Sequence, residues 1–272
     1  MLGRRTLRRG VRLRLAGLCV ITAIALGTLA ASALAVVNGS PDNGRHPYVG
    51  MAVWFPDGNP ADGFALCSGS LVSATVFVTA AHCFPEGAHV LVDMQENAFA
   101  ELTGAAPPTG PAASGIAHPD PNWTPGNTGL STSDLNDVSV VVLGGGGLPQ
   151  LRYAQLPAQG YNDTLPNNQR VEIVGYGVQT QKPLTFGSRF DASAKIIPGG
   201  GASGSQFLKI SSSPGQGGAT CFGDSGGPDL QAGTDTMLAI SSYGPSATCK
   251  AVDYSQRMDT AEALGFVSSF LH

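Results

Sequence analysis

The chain has 272 residues, 42% of them hydrophobic and only 12% charged, with 37 Gly, 19 Pro and five Cys. Six of its 15 Lys/Arg precede residue 36 and none of its 19 Asp/Glu does, so the remainder carries nine bases and a formal charge of −10. That balance argues against nucleic acid or an anionic membrane as a main partner, since both require a basic face; the 237 residues from Val36 onward suffice for one domain with a sizeable core.

In chain order, residues 1–35 read as a secretory signal. Arg4, Arg5, Arg8, Arg9, Arg12 and Arg14 form a basic start, Leu15 to Leu29 an apolar run, and Ala33-Leu34-Ala35 a small-residue cleavage site. The run is short for a membrane anchor, so the expectation is a secreted, extracellular protein with no membrane attachment after signal removal. Arg4-Arg5 has a faint twin-arginine character, but a chain with disulfides favours export unfolded by the general route. Cys19 falls in the signal and leaves four cysteines, Cys67, Cys83, Cys221 and Cys249. An even number in an exported chain fits disulfides, with three pairings open. Without a C-x-x-C pair or clustered histidines, no metal site is expected, nor any cofactor.

Beyond Val36, short β-rich runs alternate with Gly/Pro/Ser/Asn turns: Val49–Phe55, Thr75–Thr79, His89–Asp93, Val138–Leu143, Val171–Tyr176, Lys195–Ile197, Phe207–Ser211 and Thr236–Ser242. This spacing predicts an all-β sandwich or barrel. Gly104 to Asp134 is rich in Pro, Gly, Ala and Ser and is expected to be a long surface loop. Gly144–Gly147 punctuates the middle of the chain. Near the end, Ala263, Phe266, Val267, Phe270 and Leu271 recur at helical spacing, with Asp259 or Thr260 as N-cap.

Three segments carry chemistry. Cys221-Phe-Gly-Asp-Ser-Gly-Gly-Pro228 sets Ser225 in a glycine-rich turn that could aim N–H groups at a developing oxyanion. Thr79-Ala-Ala-His82-Cys83 ends a β-branched strand in a histidine, and Asp137 precedes the apolar run Val138–Leu143. The order His82, Asp137, Ser225 and these flanking residues resemble the trypsin/chymotrypsin family of serine peptidases. The likeness runs from about Val36 to the C-terminus.

The resemblance implies two antiparallel six-stranded β-barrels with the active site in the cleft between them and a short C-terminal helix. The N-terminal barrel would span about 36–147 and the C-terminal barrel with its helix about 148–272. It implies Ser225 as nucleophile, His82 as general base and Asp137 as orienting acid, Asp134 being a competitor three residues earlier. Gly223 and Ser225 would supply the oxyanion N–H groups, and a free Val36 α-ammonium would pair with Asp224. Cys67 would bond Cys83, and Cys221 would bond Cys249. Ser242 would support Asp137, while Ala219, Tyr243 and Gly244 would line the substrate site, Tyr243 standing where the family usually has tryptophan. The expected partner is a protein or peptide substrate, acted on by a monomer.

The family's trypsin-like members place an aspartate where Ala219 stands, so small or apolar side chains are the expected preference at the residue preceding the cleaved bond (P1). The Cys249–Tyr254 loop is shorter than usual, and it stays open whether Val252 or Asp253 faces the pocket. Two other classes compete. A catalytically silent, protease-like binding protein is disfavoured by the complete Ser/His/Asp set. An esterase of α/β-hydrolase type is disfavoured because that fold orders its triad Ser, Asp, His.

Overall fold

The computed structural model describes residues 36, 38–58, 63–99, 110–124, 135–181, 184–199, 206–211, 217–245, 249 and 252–271. The expected signal segment 1–35 and Asp134 lie outside these residues. The strands in chain order are β1 Ser40–Pro41, β2 Val49–Trp54, β3 Ala65–Leu71, β4 Val76–Thr79, β5 His89–Asp93, β6 Ala112–Pro119, β7 Ser139–Leu143 and β8 Arg170–Gly175. They continue as β9 Thr180–Gln181, β10 Leu184–Thr185, β11 Phe190–Ile197, β12 Phe207–Ile210, β13 Pro228–Gln231, β14 Met237–Tyr243 and β15 Asp253–Arg257, before helix α1 at Ala261–Ser268.

Six strands close the first barrel in the order β2-β3-β4-β7-β6-β5, all antiparallel. Its driving force is legible in β4 and β7, where Val76, Phe77 and Val78 pair with Val142, Val141 and Val140. β-branched and aromatic side chains fit a pleated, buried surface, and Phe77, Val78, Val140 and Val141 are fully buried. The second barrel closes as β8-β11-β12-β15-β14-β13, with β1 added at β11 and β9–β10 forming a separate hairpin. Val171, Ile173, Ala194, Ile210, Leu238 and Ala239 fill it, together with Val36. All-β, two six-stranded barrels and one short terminal helix is the architecture expected from the resemblance.

One local expectation needs correction, and one alternative is settled. The long loop expected over Gly104–Asp134 contains β6, which pairs with both β5 and β7 and so closes the first barrel. Small residues serve there because Gly115 lies against β7, where a Cβ would stand 2.5 Å from the Val142 carbonyl oxygen. At the C-terminus, Thr260 is the N-cap, its Oγ1 accepting from the Ala263 N–H at 3.1 Å. Asp259 is instead buried and holds the Arg257 guanidinium at 2.8 Å and the Asn162 amide at 2.9 Å.

One buried arginine joins the two barrels. Arg189, just before β11, donates to Asp42 at 2.9 Å, to the Val49 and Met94 carbonyls at 3.0 Å each, and to the Tyr176 hydroxyl at 3.1 Å. Asp42 also accepts from the His46 backbone N–H at 3.0 Å and meets its ring. The segment following Val36 is therefore fastened to the barrels by a satisfied ionic network, the condition under which a buried charge is tolerated.

Candidate active site

The site is assembled from both barrels. β4 ends at Thr79, and a single 3-10 turn at Ala81–Cys83 presents His82 with its side chain about a third exposed. Cys83 is bonded to Cys67 of β3, which fixes the base of that turn. Asp137 sits just before β7, fully buried. Its Oδ2 meets His82 Nδ1 at 2.8 Å and its Oδ1 accepts the His82 backbone N–H at 2.9 Å. Ser242 of β14 donates to Oδ2 at 2.5 Å, and Gln256 of β15 accepts from the Asp137 N–H at 3.3 Å. Burial works against ionisation of Asp137, but the His82 charge and the His82 and Ser242 hydrogen bonds outweigh it and hold the carboxyl below its ordinary range.

Ser225 lies on the turn between the Cys221–Cys249 bridge and β13. This turn is pressed onto the first barrel. At Gly226, whose φ is +77°, a Cβ would stand 2.2 Å from Thr79 Oγ1 and 2.6 Å from the Ala80 nitrogen, so only glycine allows the approach to the His82 segment. Gly223, at φ +95°, is equally restricted, with Leu66 and Gly177 where its Cβ would be. Ser68 of β3 is the joint. Its N–H donates to the Ser225 carbonyl at 2.9 Å, and its hydroxyl donates to the Gly223 carbonyl at 2.8 Å while accepting the Tyr176 N–H at 2.9 Å. Within the turn, the Asp224, Gly226 and Gly227 N–H groups donate to the carbonyls of Cys221, Ser241 and Asp224 at 3.0, 2.7 and 2.9 Å. Nothing in the sequence marks Ser68 except its place in the Ser/Gly-rich run Cys67-Ser-Gly-Ser70.

Behind the turn, Asp224 is fully buried and accepts N–H groups from Gly177 and Cys221 at 2.8 Å each and from Val36. Burial nonetheless pushes its carboxyl up to about 7. Val36 is itself fully buried at a positive φ of 47°. The structure thus brings Val36 and Asp224 together with a backbone N–H as donor.

The walls beside Ser225 carry the remaining expected residues. Ala219 is fully buried, and Tyr243 stacks on Tyr254 with ring centroids 4.9 Å apart. Of the two residues left open by the sequence, Val252 and Asp253, it is the aspartate whose side chain faces Gly244. Its Oδ2 accepts the Thr220 N–H at 2.9 Å, and its Oδ1 stands 2.9 Å from where a Cβ on Gly244 would be. A buried carboxylate therefore bridges the Thr220 and Gly244 segments.

A second acid, Asp229 of β13, was invisible as a site feature in the sequence. It is fully buried, faces Ser255 and is close enough to Asp224 and Asp253 to feel both charges. Neither of its oxygens makes a regular hydrogen bond among the described residues. Burial, then the two neighbouring acids, push its carboxyl from 3.8 up to about 7. Because the folded state holds this proton more tightly than the unfolded chain, the associated stability is complete below about pH 4 and is lost as pH rises through about 7. Asp229→Asn is expected to remove that slope and to stabilise the protein at pH 8 by on the order of 4 kcal/mol. Thermal melts of both proteins from pH 4 to 8 check it; parallel curves would contradict the assignment.

Among the described residues, one group of three potential metal ligands falls together, Cys67, His82 and Cys83. Its sulfurs are joined to each other, so they are not the thiolates that bind zinc. No helix among these residues is long and apolar enough to cross a membrane.

Two closed β-barrels with an Asp-His pair on one and a glycine-lined serine turn on the other define a chymotrypsin-like fold. The family model described as Trypsin matches residues 37–261, and the chain belongs to that family. Among solved structures it is similar to HL collagenase, at 17% identity and a TM-score of 0.63, covering 88% of this chain and 96% of that one. It is also similar to human heparin binding protein, at 17% identity and a TM-score of 0.62, covering 86% and 96%. These likenesses concern the fold.

Proposed function

We propose that the chain is an exported serine endopeptidase that acts as a monomer on protein or peptide substrates. The observation that carries this reading is the fully buried Asp137 held between His82 and Ser242, with the Ser225 turn docked against the same strand end. Ser225 attacks the scissile carbonyl carbon while His82 takes its proton. Asp137 fixes the imidazole tautomer and stabilises the imidazolium. The N–H groups of Gly223 and Ser225 receive the oxyanion, one such donor being worth about 3–4 kcal/mol. Collapse of the tetrahedral intermediate breaks the C–N bond, and His82 returns the proton to the leaving amine. Water, deprotonated in turn by His82, then hydrolyses the acyl-enzyme.

Export rests on the basic-apolar-small pattern of residues 1–35 and agrees with the two disulfides. Cleavage after Ala35 would free the Val36 amine to serve Asp224 as an ammonium, so signal removal would itself activate the enzyme.

Hydrolysis of a peptide library by protein beginning at Val36, with Ser225→Ala as control, tests the reading. Cleavage that disappears in the variant is expected. Cleavage that persists would place the chemistry elsewhere. A protein that neither cleaves peptides nor labels at Ser225 with a fluorophosphonate would favour the binding-protein alternative, and one relative in fold is named for heparin binding.

Ala219 alone argues for small or apolar P1 residues, but the position of Asp253 supports a cationic one. Its carboxylate lies along the lane that Gly244 leaves open. Asp253→Ala is expected to reduce cleavage after Lys or Arg, relative to cleavage after Ala, by on the order of a hundredfold. An unchanged ratio in the library profile would return the pocket to the apolar reading.

A further inference from the structure

Asp229 lies on β13 directly opposite Ile173 of β8 and Ala239 of β14. Directly opposed residues of antiparallel strands point to the same face of a sheet, so the Asp229 side chain enters the second barrel beside those two. Ile173 and Ala239 belong to the apolar cluster that encloses Val36. The next residue, Leu230, points the other way and packs with Val174, Met237 and Ile240 in the separate, larger core. A fully buried carboxyl is thus set among the residues that receive the start of the domain.

Cleavage before Val36 changes what this interior has to accommodate. In the intact chain residue 36 brings one N–H, given to Asp224, and holds a φ of +47° that a β-branched residue rarely adopts. A free terminus has no preceding carbonyl, so that restriction disappears, and it brings three N–H donors with a positive charge. Asp224 is already engaged, its Oδ1 by the Gly177 N–H and its Oδ2 by the Cys221 N–H, at 2.8 Å each. A buried ammonium requires acceptors for all its protons. Asp229 has them, since neither of its oxygens makes a regular hydrogen bond among the described residues. Ser241 and Ser255, opposite each other on β14 and β15, add two buried hydroxyls in the same condition. The charged groups facing Asp229 are Asp224 from the serine turn and Asp253 from β15, while β8 and β14 contribute the apolar Ile173 and Ala239; among the described residues no base faces it.

We infer that Asp229 is a second carboxylate for the Val36 ammonium, so that the freed terminus is held between Asp224 and Asp229 rather than by Asp224 alone. The two acids act on different elements. Asp224 belongs to the serine turn and couples the terminus to it, whereas Asp229 belongs to β13 and ties the terminus to the barrel wall, which fixes how far the turn is drawn in. Asp229 is therefore a positioning residue that touches no substrate. The inference rests on the reading that Val36 becomes the first residue of the chain.

The test applies Asp229→Asn, an isosteric change, to two chain forms, protein beginning at Val36 and protein retaining Ala35. Thermal melts at pH 8 are read first, all with Ser225→Ala so that neither catalysis nor self-cleavage enters. With Ala35 attached, Asp229→Asn is expected to raise Tm by about 10 °C, because an uncompensated buried acid is removed. With Val36 free it is expected to lower Tm by about 5 °C, because a buried ammonium loses a partner. With Ser225 intact and Val36 free, the same change is expected to cut kcat/KM about tenfold and to bring the alkaline decline of activity to lower pH, one carboxylate holding the ammonium less firmly than two. The same sign of the Tm change in both chain forms, with the alkaline decline in place, overturns the inference. If freeing Val36 stabilises the protein while Asp229→Asn stabilises both forms, Asp224 holds the amine unaided, and the activation reading stands without Asp229. Melts indifferent to the chain form remove both. Reversal of sign without any peptide hydrolysis would sustain the second carboxylate and remove the endopeptidase reading.

Discussion

Asp137→Asn is expected to lower kcat by about four orders of magnitude while leaving the fold and KM nearly unchanged. The carboxylate touches no substrate. Its Oδ2 receives His82 Nδ1 and its Oδ1 the His82 backbone N–H, so the imidazole is held in the tautomer that leaves Nε2 able to accept a proton. An asparagine amide would donate to Nδ1 instead and invert the tautomer, and Ser-His-Asp triads lose about 10⁴ in kcat on that change. The same amide would face Ser242, whose hydroxyl can turn to accept from it, and the carbonyl oxygen in the place of Oδ1 would still receive the His82 backbone N–H, so the packing should survive. Kinetics on a cleaved library peptide, alongside thermal melts, provide the check. A loss below tenfold would reopen the choice of acid, with Asp134 next in line.

The second large effect concerns the chain terminus. Protein beginning at Val36 is expected to be active, and protein retaining even Ala35 to be slower by about two to three orders of magnitude. Among the described residues the hydrogen bonds to Asp224 come from backbone N–H groups, and burial leaves its carboxyl at about 7, a group poorly disposed to ionise. An ammonium in place of the Val36 amide would supply the missing positive charge. Leaving a buried charge without its partner costs about 3–5 kcal/mol, which corresponds to that loss of competent conformer. The sign of the pH dependence follows. An unpaired α-amine titrates near roughly 8, and pairing with Asp224 raises this value, so the pair is complete below about pH 8 and is lost as pH climbs through the raised value. Activity should therefore decline reversibly at alkaline pH. Equal activity of the Val36 protein and the Ala35-extended protein would refute the activation pair.

How much of this was readable beforehand depended on whether one segment carried its own signal. β4 and β7 announce themselves through Val-Phe-Val and Val-Val-Val because their side chains fill a barrel. β3 does not: Ser68 and Ser70 are fully buried yet polar, and the strand receives the Ser225 turn through the hydrogen bonds of Ser68. β15 is hidden for a related reason. Asp253, Ser255, Gln256 and Arg257 are all buried polar residues with partners or neighbours on other elements, and no hydrophobic alternation survives. β6 was obscured by Gly and Ala chosen for close approach to β7. In the candidate site, His82, Asp137 and Ser225 stand in contiguous motifs, whereas Asp229 and Asp253 acquire meaning only when folding brings β13 and β15 beside the pocket. The facing of Asp253 in particular depends on strand register, which a single residue of slip reverses.

Ser68 also sets a limit on how this protein could be recombined. It sits in the first barrel, while Ser225, Gly223 and Tyr176 all belong to the second half of the chain. A crossover in the connecting segment between β7 and β8 would look clean by sequence, since it cuts no strand. It would nonetheless hand the serine turn to a foreign β3, and a chimera without a hydroxyl at that position could fold both halves and still hold Ser225 slack. Grafting barrels between members of this fold therefore calls for carrying residue 68 along with the half it serves.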